Sequence, residues 1–183
     1  SLIGYISNHQ QICCIPVYTA LCISDDYIDG IKFAGISNIG TGCNGNADNY
    51  IYYVNDTAQV AMNNTYSISL TPSTIWDQGF GVWIDFNHDG DFEDTDEFVF
   101  SSPASIATVM GNITISCRVP LSGNTIMRVR CIFGVTPTSA NSCDTQTFGE
   151  TEDYNIFIKA GSALDAGIID IETPVTSCAL SST

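Results

Sequence analysis

The sequence has very few basic side chains. Among its 183 residues, lysine and arginine total 5 against 20 aspartates and glutamates, so the formal net charge is −15. Binding to the phosphates of nucleic acid needs clusters of lysine and arginine, and five scattered residues do not supply them. The same shortage argues against attachment to an anionic membrane surface. An acid-rich chain instead suits hard cations such as Ca²⁺.

Several other signals are missing as well. No apolar run reaches the roughly 18 residues of a membrane span, and the N-terminus lacks the basic and apolar regions of a signal peptide. The eight cysteines form no CxxC pair, so a zinc site is not predicted. There is no GxSxG motif, and His9 and His88 are the only histidines. With so few candidate bases, the chain is not expected to be an enzyme.

Helical periodicity is also nearly absent from the sequence. Short runs of β-branched and aromatic residues occur instead, separated by Gly, Asn, Asp, Ser and Pro. Strands are predicted at 31–36, 50–54, 65–70, 80–85, 97–101, 112–119, 125–132 and 154–159. About eight or nine strands with long, turn-rich loops predict an all-β fold, an antiparallel β-sandwich of the jelly-roll or immunoglobulin-like kind.

The strand predicted at 125–132 shows the clearest alternation. One set of its side chains is Met127, Val129 and Cys131, and the other is Ile126, Arg128 and Arg130. Successive side chains of a strand point to opposite faces, so the first, apolar set is expected to face the core.

The acidic residues are concentrated at 85–97, where seven of the thirteen residues are aspartate or glutamate. Asp85, Asn87 and Asp89 alternate ahead of Gly90, which is the D-x-N-x-D-G core of a calcium loop. Ca²⁺ takes six to eight oxygen ligands, and a tight loop supplies them from alternate residues. Ca²⁺ is therefore the expected cofactor. The predicted ligands are Asp85, Asn87, Asp89, Asp91, Asp96 and Glu97.

The segments that flank this acidic loop are strand-like, so the loop is expected to join two strands of a hairpin. An alternative interpretation is a solvated acidic turn, because Asp-Gly is itself a strong hairpin signal. Seven carboxylates without a cation would repel one another, which favours the calcium interpretation.

Residues 149–154 read Gly-Glu-Thr-Glu-Asp-Tyr. Together with GVWIDFNHDGDF at 81–92 and MRVR at 127–130, this motif resembles the GEVED domain, with Thr151 in place of the valine of the family's name. The resemblance extends over about 14–160. It implies a β-sandwich of large secreted bacterial proteins, notably cell-surface and protease-like proteins of the Bacteroidetes. It also implies an accessory or adhesive module without an established catalytic role.

The resemblance and the composition divide the chain into three parts. Residues 1–13 are interpreted as a lead segment, 14–160 as the sandwich, and 161–183 as a linker with the start of a following module. That last part is similar to the opening of an Ig-like repeat. The chain is therefore expected to be one piece of a longer modular protein.

Arginines and carboxylates are concentrated in two of the motifs. Arg128 and Arg130 share one strand face, while Glu150, Glu152 and Asp153 share the 149–154 motif. Arginine pairs with carboxylates through two parallel hydrogen bonds, which favours a structural ion-pair cluster joining the last strand to its neighbour. In an alternative interpretation, one of the three carboxylates belongs to a metal site. A glycosidase pair is not favoured, since nothing marks an acid of raised pKa.

Eight cysteines in a lysine-poor chain rich in Asn, Thr and Ser indicate an extracellular protein with disulfides. Cys14, Cys22, Cys43 and Cys143 are the disulfide candidates. We provisionally pair Cys14 with Cys22 and Cys43 with Cys143, although eight cysteines allow many pairings and the sequence does not select among them.

Two functions are compatible with these features. The favoured one is a non-catalytic, calcium-stabilised extracellular module for adhesion or assembly within a larger cell-surface or filament protein. Its partners would be modules of the same or neighbouring chains, including copies of itself. The alternative is an accessory domain of a secreted hydrolase or metalloprotease that binds glycan or peptide. Trp76, in the loop at 73–78, is the candidate ligand contact, whereas Trp83 is expected in the core.

Overall fold

The computed structural model describes residues 12, 14–43, 49–116 and 121–160. Nine strands lie within this part of the chain: β1 (Ile28–Phe33), β2 (Ile36–Ile39), β3 (Tyr50–Ala61), β4 (Thr65–Pro72), β5 (Gln78–Ile84), β6 (Phe98–Ser101), β7 (Val109–Thr114), β8 (Gly123–Phe133) and β9 (Gly149–Lys159). Two short 3-10 turns accompany them at Cys22–Ser24 and Ser139–Asn141. The predicted all-β class is therefore confirmed.

The strands form two sheets that pack face to face. One sheet has the order β2-β1-β4-β7, and the other has the order β3-β9-β8-β5-β6. Neighbouring strands run antiparallel, except that β3 lies parallel to β9. The predicted β-sandwich is confirmed. Its single parallel pair was not predicted, because it joins strands that are distant in the sequence.

Several predicted strands have different bounds in the structure. β3 continues to Ala61, beyond the predicted 50–54, and β7 spans Val109–Thr114 rather than 112–119. The run at 31–36 does not form one strand, because the chain reverses at Ala34 and Gly35, where φ is 44° and 100°. The two residues are the turn of a hairpin between β1 and β2, and positive φ at both central positions suits the twist of such hairpins. The last strand begins at Gly149 rather than at 154, so the 149–153 motif is itself part of β9.

The main core lies between the two sheets. Met127, Val129 and Cys131 are fully buried there, as the alternation of β8 predicted. Burying a side chain such as that of Met127 or Val129 contributes about 1.5–3 kcal/mol of transfer free energy. The same core also includes Ile31, Phe33, Ile68, Leu70, Phe80, Val82, Ile113, Ile156 and Ile158.

The opposite face of the five-stranded sheet is covered as well. Trp83, Phe92 and Ile126 form a second, smaller apolar cluster there. Arg128 and Arg130 lie on the same face, and neither is exposed to solvent. The alternation therefore predicted correctly which residues share a face, but not that loops bury both faces of β8. Phe92, which covers part of this face, comes from the acidic loop.

The expected sandwich at 14–160 includes all nine described strands. The expected lead segment at 1–13 and the expected following module at 161–183 lie outside the described residues, apart from Ile12. Within the described ranges, no helix is long and apolar enough to cross a membrane.

Candidate metal site

The acidic loop, residues 85–97, connects β5 to β6 and begins with a turn organised by Asp85. Oδ1 of Asp85 accepts the backbone N–H of His88 at 2.7 Å, and Oδ2 accepts the N–H of Gly90 at 2.9 Å. Gly90 has a φ of 93°, a left-handed conformation that other residues adopt only with strain. Asp85 itself is fully buried. The first residue of the D-x-N-x-D-G pattern therefore shapes the loop through its backbone.

Three aspartates of the loop bring their carboxylates together. Asp89, Asp91 and Asp94 each place an oxygen within 4.8 Å of the other two. Because each Ca–O distance is about 2.3–2.6 Å, oxygens bound to one ion lie at most about 5 Å apart. Asn87 reaches the same place, since its Nδ2 donates to Oδ2 of Asp89 at 2.8 Å and to Oδ2 of Asp94 at 2.6 Å. The spacing of these carboxylates fits a Ca²⁺ ion.

Glu97 lies at the other end of the loop and is fully buried. Its Oε1 accepts the backbone N–H of Phe86 at 2.8 Å, while Oε2 has no hydrogen-bond partner among the described residues. Burial raises the pKa of Glu97 to about 7, and the charge of Asp85 adds to the rise. Burial also raises the pKa of Asp85. A cation nearby would lower the free energy of both ionised forms.

The structure assembles only part of the predicted ligand set. Asp89 and Asp91 belong to the cluster and Asn87 contacts it, whereas Asp85 and Glu97 bind backbone N–H groups of the loop. Asp96 is exposed and lies outside the cluster. Asp94 is a member that was not predicted, since it falls outside the alternating pattern. Asp96 and Glu97 were predicted because they lie near the twelfth position of the loop, where an EF-hand has a glutamate ligand. In an EF-hand a helix follows the loop, whereas here the strand β6 follows.

Arg128 is the centre of a buried polar cluster on the loop-covered face. Its Nε and Nη2 donate to Oδ1 and Oδ2 of Asp153 at 2.9 and 2.8 Å. Nη2 also donates to the carbonyl of Cys14 at 3.0 Å, and Nη1 to the carbonyl of Ser142 at 3.1 Å. The guanidinium lies 4.6 Å from the centre of the Phe92 ring. One side chain thus connects two strands, two loops and the N-terminal segment.

Arg130 has a different carboxylate partner from those predicted. Its Nη1 lies 2.7 Å from Oδ1 of Asp144, and its Nε donates to the hydroxyl of Tyr18 at 3.0 Å. Glu150 and Glu152 do not join the arginines, because they lie on the opposite face of β9 from Asp153. The predicted five-residue ion-pair cluster is therefore wrong for these two glutamates. Strand alternation in the 149–153 motif was the signal that identifies the correct face.

Glu150 and Glu152 instead point between the sheets. Oε2 of Glu150 accepts the backbone N–H of Ile28 at 2.8 Å, and Oε2 of Glu152 accepts the hydroxyl of Tyr154 at 2.7 Å. Burial raises the pKa of Glu150 to about 8, with a further contribution from the Glu152 charge. Burial likewise raises the pKa of Glu152 to about 7. The Glu150 carboxyl thus connects β9 to β1 of the facing sheet, and the Glu152 carboxyl binds a side chain of β9 itself.

The other two motif residues also make specific contacts. Gly149 has a φ of 136°, and a Cβ at this position would collide with the carbonyl oxygen of Cys131 on β8. Oγ1 of Thr151 forms a 2.7 Å hydrogen bond with the hydroxyl of Tyr18. All five residues of the 149–153 motif therefore have a structural contact or a backbone requirement.

Residues 79–157 match the family model of the GEVED domain, from β5 through most of β9. This chain contains a GEVED domain. Among curated proteins, none matches the chain significantly. The GEVED domain is a small β-sandwich domain and is not a known catalytic family. The match does not include 14–78, which the resemblance was expected to cover, although β1–β4 complete the same sandwich.

One disulfide connects the GEVED domain to its N-terminal flank, and a second lies within that flank. The pairs are Cys14–Cys143 and Cys22–Cys43, so the predicted pairings of Cys14 with Cys22 and of Cys43 with Cys143 are both wrong, although the same four cysteines form the two bonds. The N-terminal segment runs beside the segment before β9, as the bridge between Tyr18 and Gln146 shows, and this path brings Cys14 to Cys143. Disulfides and a GEVED domain are both consistent with an extracellular location.

Trp76 and Trp83 have the environments that the sequence predicted. Trp83 is fully buried in the second apolar cluster of the GEVED domain, and Trp76 is 46% exposed in the loop before β5. The indole N–H of Trp76 donates to the carbonyl of Ser24 at 2.9 Å, which orients the exposed ring.

Proposed function

We propose that this chain is a non-catalytic extracellular module whose acidic loop binds Ca²⁺ and which serves adhesion or assembly within a larger cell-surface protein. In this role the ion holds the acidic loop in one conformation, and the loop in turn covers one face of the five-stranded sheet. Asp89, Asp91 and Asp94 would be the principal ligands, with Asn87 and Glu97 nearby.

The observation that supports calcium most directly is the environment of Glu97. A buried carboxylate whose second oxygen has no hydrogen-bond partner, as Oε2 of Glu97 has none in the described part of the chain, is costly unless a cation or a proton compensates it. Lysine and arginine are absent from the whole stretch between Lys32 and Arg118, which includes the acidic loop. A hard divalent cation is the compensation that the local oxygen ligands favour.

The adhesion or assembly role is supported by the architecture. One edge strand of the five-stranded sheet is β3, with twelve residues; the other, β6, has only four. An outermost strand can accept a further strand from another module through backbone hydrogen bonds. The family match points to a β-sandwich module rather than to a catalytic family. Disulfides suit the extracellular location in which such modules act.

Calcium binding is tested by thermal unfolding of the chelator-treated protein with and without CaCl₂. A ligand present at about 100 times its dissociation constant stabilises the native state by about 2.7 kcal/mol. For a domain of this size we expect Tm to rise by about 5–10 °C. Asp89→Ala and Asp94→Asn should each abolish most of the rise.

Asp56→Asn is the matched control, because it removes one acidic charge from β3 rather than from the loop. This variant should keep the full response to Ca²⁺. An unchanged Tm of the wild-type protein in millimolar Ca²⁺, or an equal rise in Asp89→Ala, would refute calcium binding at the loop.

A further inference from the structure

An aromatic cleft of about 210 Å³ opens at one end of the five-stranded sheet. Trp76 comes just before β5, Phe133 ends β8, and Phe148 comes just before β9. The register of these antiparallel strands brings the three positions together. Ser24 and Asp26, from the segment ahead of β1, complete the lining. The cleft is separate from the acidic loop, which leaves the opposite end of β5.

The aromatic walls of the cleft are held in place by contacts within the protein. The rings of Trp76 and Phe133 meet edge to face at 5.8 Å, and those of Phe133 and Phe148 at 6.0 Å. The hydrogen bond from Trp76 to the Ser24 carbonyl fixes the indole further. A ligand would therefore meet a preformed surface, with little loss of side-chain entropy on binding.

Asp26 is the one acidic residue that lines this apolar cleft, and it is only 4% exposed. Nε2 of Gln78 donates to Oδ1 at 2.6 Å, which leaves Oδ2 for a ligand. The charges of Asp25 and Asp77 lie close enough to raise the pKa of Asp26 beyond the rise caused by burial. The cleft thus combines aromatic faces with a concentrated negative potential, and a positively charged ligand complements both.

The size of the cleft favours one long side chain as its occupant. Pockets for whole small molecules usually measure about 300–1,000 Å³, more than this volume. Lysine and arginine have apolar stems that pack on aromatic rings and charged heads that pair with a carboxylate. A sugar would need several hydrogen-bonding groups around the ring, and the lining offers only Ser24 and Asp26 as polar residues.

A second depression of about 270 Å³ shares Phe133 and Phe148 with the cleft. Ile132, Gln146 and Thr147 line the rest of it. The two depressions together leave room for the neighbours of the anchored side chain. Because the two depressions share lining residues and so lie side by side, a segment of polypeptide is favoured over a free small cation.

We propose that the Trp76–Phe133–Phe148 cleft binds a lysine or arginine side chain in an extended segment of a partner protein. The proposal names the partner chemistry for the assembly role and rests on that role, but it does not depend on Ca²⁺. Asp26 receives the charged head, and the three aromatic rings contact the methylene stem.

The test uses seven-residue peptides of Gly and Ser with one central residue, which is lysine, arginine, norleucine or glutamate. Norleucine keeps an unbranched apolar stem and lacks the charge. Binding is followed by tryptophan fluorescence, since Trp76 is exposed and Trp83 is fully buried, and by calorimetry. We expect the lysine and arginine peptides to bind at least tenfold more tightly than the norleucine and glutamate peptides.

Two variants separate the charge from the aromatic surface. Asp26→Asn keeps an acceptor for Gln78. It should weaken binding of the lysine peptide about tenfold or more and change the affinity for the norleucine peptide little. Trp76→Ala should weaken the binding of both the lysine and the norleucine peptide. Asp56→Asn, which removes a charge from β3 outside the cleft, should bind like the wild type. If Asp26→Asn does not fold, the salt dependence of wild-type binding replaces this variant. Added NaCl should weaken the binding of the lysine and arginine peptides but not of the norleucine peptide.

Equal affinity for the lysine and norleucine peptides would overturn the proposal, as would an absence of binding to every peptide. Binding confined to a panel of neutral oligosaccharides and lost in Trp76→Ala would overturn it in favour of a glycan site. The calcium response of the same preparation is measured in parallel. A Tm rise without peptide binding refutes the cleft proposal alone, and peptide binding without a Tm rise refutes calcium binding alone.

Discussion

Arg128 holds Asp153 through two parallel hydrogen bonds of 2.9 and 2.8 Å, and neither side chain has any exposure to solvent. The two residues lie opposite each other on the adjacent strands β8 and β9. The same guanidinium binds the carbonyl of Cys14, so the pair also holds the N-terminal segment against the sheet. Removing one member would leave a buried charge without compensation.

Asp153→Ala should therefore destabilise the protein by about 3–5 kcal/mol, the usual cost of breaking a buried pair by removing one partner. The measurement is the free energy of unfolding from urea titration. Asp144→Ala is the control, because the Asp144 side chain is 33% exposed, whereas its partner Arg130 is buried. It should cost less, because water screens the half of the pair that is exposed and Arg130 keeps its hydrogen bonds to the Tyr18 hydroxyl and the Asp144 carbonyl. Equal losses in the two variants would contradict a special role for the Arg128–Asp153 pair.

The buried glutamates of the motif predict a dependence of stability on pH. Burial raises the native pKa of Glu150 to about 8 and that of Glu152 to about 7, from an ordinary value of 4.5. A carboxyl with a raised native pKa binds its proton more tightly in the folded state. Its contribution to stability is complete below the unfolded pKa and is lost as pH rises through the native pKa.

The free energy of unfolding should accordingly increase as pH is lowered from about 8.5 to about 5.5. Glu152→Gln should be more stable than the wild type at pH 8, because the amide does not ionise and still accepts the Tyr154 hydroxyl. For the same reason its free energy of unfolding should have a smaller slope against pH. Glu93→Gln, at an exposed position, should leave the slope unchanged. Urea titrations at several pH values measure these slopes, and a wild-type slope of the opposite sign would refute the prediction.

Gly149 gives a third prediction about the motif. Gly149→Ala should destabilise by more than the approximately 1–3 kcal/mol of a strained backbone conformation, because the new methyl group would also meet the Cys131 carbonyl. Gly35→Ala isolates the backbone cost, since Gly35 has a φ of 100° and a methyl group there would meet no atom within 4 Å. Thermal unfolding of both variants measures the difference. If they lose the same stability, the contact with β8 is unimportant.

The periodicity and turn composition of the sequence were sufficient for much of this fold. Alternation in β8 predicted that Met127, Val129 and Cys131 face the core, and the 149–153 motif predicted the family. The acidic loop was placed between two strands because its flanks are strand-like. These features are local, so side-chain alternation and turn propensity determine them without knowledge of distant contacts.

Contacts between distant segments were decided only by the tertiary structure. Asp94 joins Asp89 and Asp91 because of the path of the loop, and Arg130 meets Asp144 because the segment before β9 folds over β8. The disulfide pairs and the aromatic cleft depend in the same way on which chain ends and loops meet. A sequence determines which side chains share a strand face, but the packing of sheets and loops determines which partner each side chain finds.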